Sequence, residues 1–210
     1  MKPMNRILFG IAAMTVATAS QANLLYTFDT DNKGWRQADF NPVTLTLTDV
    51  GPATWNPAGH IEGPDFAGWA FHTSPLLAGG YGLATEIRFD YSADFADVQA
   101  YPFVVLASAT GAIYQEVAPP ADGQFHTYAY DLTTVGTWRY GDLGGLRNAT
   151  MGDIASVLGG LQRIGINADV ASGGDFTRVD NVQLTAVPEP ATMAALGLGV
   201  AALMRRRRTR

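Results

Sequence analysis

The chain has 210 residues, fourteen of them basic and nineteen acidic, a formal net charge of −5, and no cysteine. The length leaves room for one domain of ordinary size, and the lack of cysteine excludes a disulfide framework, a thiolate metal centre and a cysteine nucleophile. Between Asn23 and Ala186 seven basic residues oppose eighteen acidic ones, a balance that repels nucleic acid and suits either a solvated exterior or affinity for divalent cations.

Lys2 and Arg6 flank the start of an apolar run from Ile7 to Ala17, and Ser20-Gln21-Ala22 places small residues at the two positions a signal peptidase reads. Residues 1–22 therefore read as a secretory signal peptide, and the mature chain is expected to begin at Asn23.

From 23 to 186 the dominant periodicity is two, with Gly, Pro, Asn and Asp as punctuation, which predicts half-buried strands. The expected strands are Leu24 to Phe28, Val43 to Leu47, Ala67 to His72, Leu83 to Tyr91, Tyr101 to Ala107, Ala112 to Val117, Phe125 to Leu132, Ile164 to Asp169 and Phe176 to Leu184. In Leu83 to Tyr91 one face reads Leu83, Thr85, Ile87, Phe89, Tyr91 and the other Ala84, Glu86, Arg88, Asp90, a strand with one wet face. One short helix is expected, capped by Asp153, running to Leu158 and stopped by Gly159-Gly160. With no alternation of strands and helices, the expected fold class is all-β, an antiparallel β-sandwich of the jelly-roll type.

The last segment reads Val187-Pro188-Glu189-Pro190, an apolar stretch from Ala191 to Met204, then Arg205-Arg206-Arg207-Arg208. The fourteen residues of this stretch rise roughly 21 Å as a helix, against a hydrocarbon core of about 30 Å, so this is one short transmembrane helix that needs its arginines to snorkel. The arginines favour the cytoplasmic side, which leaves the domain outside the inner membrane. These three pieces in this order resemble the PEP-CTERM sorting signal, over about the last twenty-four residues. The resemblance implies an exosortase as processing partner, transient membrane anchoring through the C-terminal helix, and delivery to the envelope, surface or extracellular matrix of a Gram-negative bacterium that makes exopolysaccharide. The expected organisation is a signal peptide at 1–22, a sandwich domain at 23–186 and a sorting signal at 187–210.

A second, looser resemblance spans about Ala67 to Leu184. Trp69, Pro75-Leu76-Leu77, Gly80-Tyr81-Gly82, Trp138, the pair Ile154 to Ile166 and the closing Asp180-Asn181-Val182 resemble a laminin B (domain IV) module, a sandwich related to galactose-binding and carbohydrate-binding jelly rolls. Upstream stands a Phe-Asp-x-Asp-x-x-Gly-Trp opening, here Phe28-Asp29-Thr30-Asp31-Asn32-Lys33-Gly34-Trp35.

That opening sets Asp29, Asp31 and Asn32 on one turn, oxygen ligands of the kind calcium takes, without the EF-hand pattern, since Phe40 stands at the twelfth place. In the final strand, regular alternation puts Asp180 on the face of Phe176, Val182 and Leu184, and a buried carboxylate needs a partner. The jelly-roll resemblance implies a structural calcium ion held by Asp29 and Asp180, with Asp31 as a lesser candidate. Alternatively Asp180 pairs with an arginine such as Arg178, or a bulge turns it outward, and Asp29 makes an Asx-turn. Trp35, Trp55, Trp69 and Trp138 with Tyr81, Tyr101 and Tyr140 are either core or a sugar platform. Trp55, in a loop with Pro52, Asn56 and Pro57, is the expected exposed one and the candidate ligand-binding residue.

No catalytic residue is assigned. His60, His72 and His126 lie far apart, and no Gly-x-Ser-x-Gly, His-Glu-x-x-His or nucleotide-binding glycine loop occurs. The expectation is an exported, non-catalytic sandwich that binds extracellular polysaccharide and is stabilised by Ca2+. The alternatives are a purely structural or adhesive surface protein, and a polysaccharide-acting hydrolase with two carboxyl groups across a cleft.

Overall fold

The computed structural model of the protein describes residues 23–64, 69–95, 102–141, 147–171, 174 and 176–186. The signal peptide, the sorting motif with its arginine cluster, and Tyr101 lie outside them.

In chain order the strands are β1 (Leu24–Tyr26), β2 (Arg36–Asn41), β3 (Thr46–Pro52), β4 (Thr54–Asn56), β5 (His60–Pro64), β6 (Ala70–Thr73), β7 (Ala84–Ala93), β8 (Pro102–Ser108), β9 (Gly111–Glu116), β10 (His126–Asp131), β11 (Arg139–Tyr140) and β12 (Arg147–Asn148). Helix α1 (Met151–Gly159) follows, then β13 (Leu161–Asn167) and β14 (Phe176–Ala186). All pairings are antiparallel. One sheet has six strands in the order β10-β7-β14-β5-β4, with β1 also on β14; the other has eight, β12-β11-β9-β8-β13-β6-β2-β3. This is a jelly-roll sandwich. Among the described residues no helix is long and apolar enough to cross a membrane.

Two expectations are corrected at turns. Val43 to Leu47, read as strand from its alternation, is mostly turn: the Asn41 side chain accepts from the amides of Val43 at 2.9 Å and Thr44 at 3.1 Å, and Leu45 takes a left-handed φ of 57°. Local Asx chemistry outcompetes the ladder there, and β3 starts only at Thr46. The helix begins earlier than expected because Thr150, not Asp153, is the N-cap. Thr150 Oγ1 accepts from the Asp153 amide at 3.2 Å, and the Asp153 carboxylate accepts from the Thr150 amide at 2.8 Å, a reciprocal capping box.

The core between the sheets is aromatic and aliphatic. Trp35, Trp138, Phe89, Phe103, Tyr91, Ile61, Leu106, Ile166 and Val179 are all buried there. His72 is buried among them, its Nε2 3.0 Å from Thr177 Oγ1, and burial pushes its pKa down to about 4. A second apolar layer lies on the other side of the eight-stranded sheet, built from Phe40, Phe71, Val105, Ala107, Ala112 and Tyr114, with Leu45, Leu47 and Trp69 packed on it. Gly165 permits that closure, because a Cβ there would stand 3.0 Å from Leu47 Cδ1 and 3.2 Å from Phe71 Cδ1.

The first and last strands are neighbours. Leu24 to Tyr26 pairs with Leu184 to Val182, and Asn23 Oδ1 accepts from the Ala186 amide at 2.9 Å. The two ends of the sandwich therefore leave it side by side.

Candidate functional site

The outer face of the six-stranded sheet gathers most of the polar chemistry. In β4 and β5 Trp55 is paired with Ile61, and Ile61 is buried in the core, so Asn56, His60 and Glu62 point outward by alternation. Across β14 and β7, Arg178 stands beside Glu62 and Ser92, and Asp180 beside Asp90. Thr127 of β10 continues that row.

These groups are tied to one another. Glu62 Oε2 accepts from Asn56 Nδ2 at 2.9 Å and meets His60 Nε2 at 3.1 Å. The Arg178 guanidinium donates to both oxygens of Asp94, at 2.7 and 3.1 Å, a bidentate pair that lowers the Asp94 pKa. Asp90 accepts from Thr127 Oγ1 at 2.6 Å and from Asn181 Nδ2 at 2.8 Å. Phe125, just ahead of β10 and 45% exposed, brings its ring centroid within 5.6 Å of the His60 ring, edge to face. Since β7 and β14 separate β10 from β5, roughly 14 Å at about 4.8 Å per strand, the two side chains lean toward each other across the face of those strands.

At one end of this face lies an acidic corner. The expectation that Asp180 points into the core is corrected by a bulge. Asn181 takes φ 52° and the register shifts between Asp180 and Gln183, so Val179 and Val182 both face the core while Asp180 turns outward. Nor does Arg178 pair with Asp180, because it is held by Asp94. The Asp180 carboxyl is nonetheless half-buried, and its pKa is raised, first by burial and further by the carboxylates of Asp90 and Asp29, against the lowering pull of the Asn181 and Phe28 amides. The carboxylates of Asp29 and Asp90 thus lie within electrostatic reach of Asp180. Asp31 does not take part: it is exposed, accepts from the Lys33 amide at 2.8 Å and pairs with the Lys33 ammonium at 3.2 Å. Among the described residues, no group of three or more His, Cys, Asp or Glu side chains converges closely enough to hold a metal ion.

Trp55 is not the exposed loop residue expected. It sits in β4, half-buried against the core, and its indole N–H donates to the Phe28 carbonyl at 2.6 Å. A strand pairing between β4 and β5 turns its ring inward, which the flanking prolines obscured. Trp35 and Trp138 are fully buried, and Trp69 belongs to the second apolar layer. The three histidines stay in separate environments: His60 on the outer face, His72 between the sheets, and His126 with Asp122 at 3.0 Å. Sequence reasoning missed Phe125, Asp90 and the Asn56–His60–Glu62 group. Asp90 was legible only as one polar residue of an alternating strand, and nothing local marked Phe125 as reaching β5.

Elsewhere, a cavity of about 290 Å³ lies between the β8–β9 turn and the end of α1, lined by Leu77, Ser108, Thr110, Ser156 and Gln162 with backbone from the glycines around them. Its lining carries no carboxylate, imidazole, amine or guanidinium.

Residues 186–208 match the PEP-CTERM protein-sorting motif. No curated protein matches the chain. Among solved structures, the L4b domain of human laminin alpha-2 is similar at 15% identity over 80% of this chain and 98% of that one, with a TM-score of 0.60. A CBM4 carbohydrate-binding module is similar at 14% identity over 77% of this chain and all of that one, TM-score 0.44. A family 11 carbohydrate-binding module from Clostridium thermocellum is similar at 14% over 80% of this chain and 89% of that one, TM-score 0.41. At such identities the likeness to the laminin domain is one of fold.

Proposed function

We propose that this is an exported cell-envelope or matrix protein, sorted by an exosortase through its C-terminal motif, whose sandwich binds extracellular polysaccharide without catalysing a reaction. The observation that carries the reading is the position of the motif. It starts at Ala186, the last residue of β14, directly behind a sandwich that resembles a laminin domain in fold. A polar sheet face crossed by an exposed aromatic ring supports the binding role, since a pyranose stacks on such a ring and offers its hydroxyls to neighbouring polar groups.

The test is affinity electrophoresis of the exported protein in gels containing the exopolysaccharide of its own host, alongside an assay for new reducing ends. Retardation without new reducing ends is expected. New reducing ends would replace this reading with a hydrolase, and migration unchanged by polysaccharide would leave a purely structural or adhesive protein.

The raised pKa of Asp180 favours one addition, a Ca2+ ion held by Asp29 and Asp180, which would relieve the repulsion these carboxylates exert on one another and on Asp90. Asp31, tied to Lys33, stays outside that set. If the ion binds, thermal unfolding of the full chain should shift upward in calcium relative to chelator, and Asp180→Asn should abolish the shift. An identical melting temperature in both media would remove calcium from the proposal.

A further inference from the structure

We propose that the outer face of the six-stranded sheet around Phe125 is a subsite for one uncharged sugar residue, with the Phe125 ring as stacking platform and Glu62, Asn56 and His60 as its polar partners. This inference rests on the polysaccharide-binding reading above and gives it a place and a ligand class.

The ring is the first observation. Phe125 is 45% exposed, yet it does not hang free in solvent, because the edge-to-face contact with His60 at 5.6 Å holds it across the sheet. That contact covers the imidazole, so that His60 is only 7% exposed on an outward-facing position. An aromatic ring that is both exposed and fixed costs little further ordering when a ligand stacks on it.

The polar groups beside the ring are equally prearranged. Glu62 Oε2 is occupied by Asn56 Nδ2 and His60 Nε2, and Asn56 Oδ1 accepts from the Ala58 amide at 2.9 Å. Both bonds to Glu62 fall on one oxygen. Its Oε1 has no partner among the described residues although the side chain is only 18% exposed. A carboxylate oxygen with an open lone pair, held in place through its partner oxygen, is an acceptor for a sugar hydroxyl.

Charge selects the class of sugar. Glu62, Asp94, Asp90 and Asp180 outnumber the two guanidiniums of this face, Arg178, already held at both ends of its fork by Asp94, and Arg88, two positions from Asp90 along β7. A uronate or sulfate would meet a net negative field beside Phe125, where the nearest guanidinium is already engaged by Asp94. An uncharged hexose or pentose meets acceptors and a stacking face.

The probes are two neutral polysaccharides, a soluble β-glucan and a mannan, and one anionic polymer, sodium alginate. They are titrated into the full chain with detection of the His60 imidazole resonances and of binding heat. We expect at least one neutral polymer to bind and to shift His60, Phe125→Ala to weaken it roughly tenfold or more, Phe125→Trp to retain it, and alginate to leave His60 unmoved. Glu62→Gln, which keeps the shape of the group, should weaken the same polymer. Neutral binding unaffected by either Phe125→Ala or Glu62→Gln overturns the subsite while leaving polysaccharide binding in place. Alginate binding that shifts His60 overturns the ligand class. Failure of all three polymers and of the host exopolysaccharide against a folded chain overturns both the subsite and the reading on which it rests.

Discussion

The two outer faces of the sandwich were built from the same kind of alternating sequence and ended in opposite states. Over the six-stranded sheet, Glu86, Arg88 and Asp90 point away from the core, and the face stays polar. Over the eight-stranded sheet the outward residues are Phe71, Val105 and Tyr114, all fully buried, because the β2–β3 turn folds Leu45 and Leu47 down onto them. An outward face becomes core when another part of the chain supplies a lid, and remains available for binding when none does. Strand β8 records the difference: six consecutive residues from Pro102 to Ala107 are buried, the pattern of a strand covered on both sides.

The comparison breaks if the second apolar layer contributes nothing to stability. Phe71→Ala should cost about 3–5 kcal/mol in urea unfolding, as much as Phe89→Ala between the sheets, whereas Arg88→Ala on the polar face should stay within about 0.5 kcal/mol. A cost for Phe71→Ala as small as that for Arg88→Ala would show the layer to be a surface, not a core.

Acid should separate the two buried layers. His72 lies between the sheets with its pKa depressed to about 4 by burial, so below the ordinary imidazole value the unfolded chain takes up a proton that the folded chain refuses. The stability His72 contributes is complete above pH of about 6.5 and is lost as the pH falls toward 4, by about 3 kcal/mol at most. In His72→Gln that part of the urea midpoint's decline between these two values should disappear. The second layer carries no group that titrates in this window, so Phe71→Ala should lower stability equally at both ends of it.

A smaller effect sharpens the role of the lid. Leu47→Ala should cost about 2 kcal/mol, since the side chain is only partly buried. It should also speed amide exchange along β2 and β3 while leaving β7 and β14 protected. Uniform acceleration across both sheets would mean that the hairpin is no separate cover.

Much of this molecule was legible from local pattern. Alternation in Leu83 to Tyr91 identified β7 and its wet side, and Phe176 to Leu184 identified β14. The Asn41-Pro42 turn was not read, because an Asx bond and a left-handed Leu45 depend on particular dihedral angles rather than on hydrophobic period. Five strands were missed: β4, β11 and β12 have two or three residues, too few to show a period, while β2 and β5, with six and five, offer only Ala38 and Phe40, or Ile61, as core-facing apolar members.

The candidate site was less legible than the fold. Asp29 and Asp180 were named from resemblance, and Asp29 lies within electrostatic reach of Asp180, but where Asp180 points depends on a single inserted residue at the bulge. That insertion reverses which face the carboxylate takes, and a strict period of two cannot express it. Trp55, expected exposed, is half-buried, and Phe125, assigned no role, is exposed, for the same reason: exposure is set by what lies across the sheet, not by flanking prolines.

The sequence by itself determined the fold class, the acidic balance of the domain and the sorting motif at its end, because strand period, charge and a contiguous motif are all local properties. Only the tertiary structure decided which sheet face was sealed and which left open, where Asp180 points, and that Phe125 meets His60 across two intervening strands. Those depend on contacts between residues far apart in the chain, such as the 65 positions that separate His60 from Phe125, and local sequence carries no term for them.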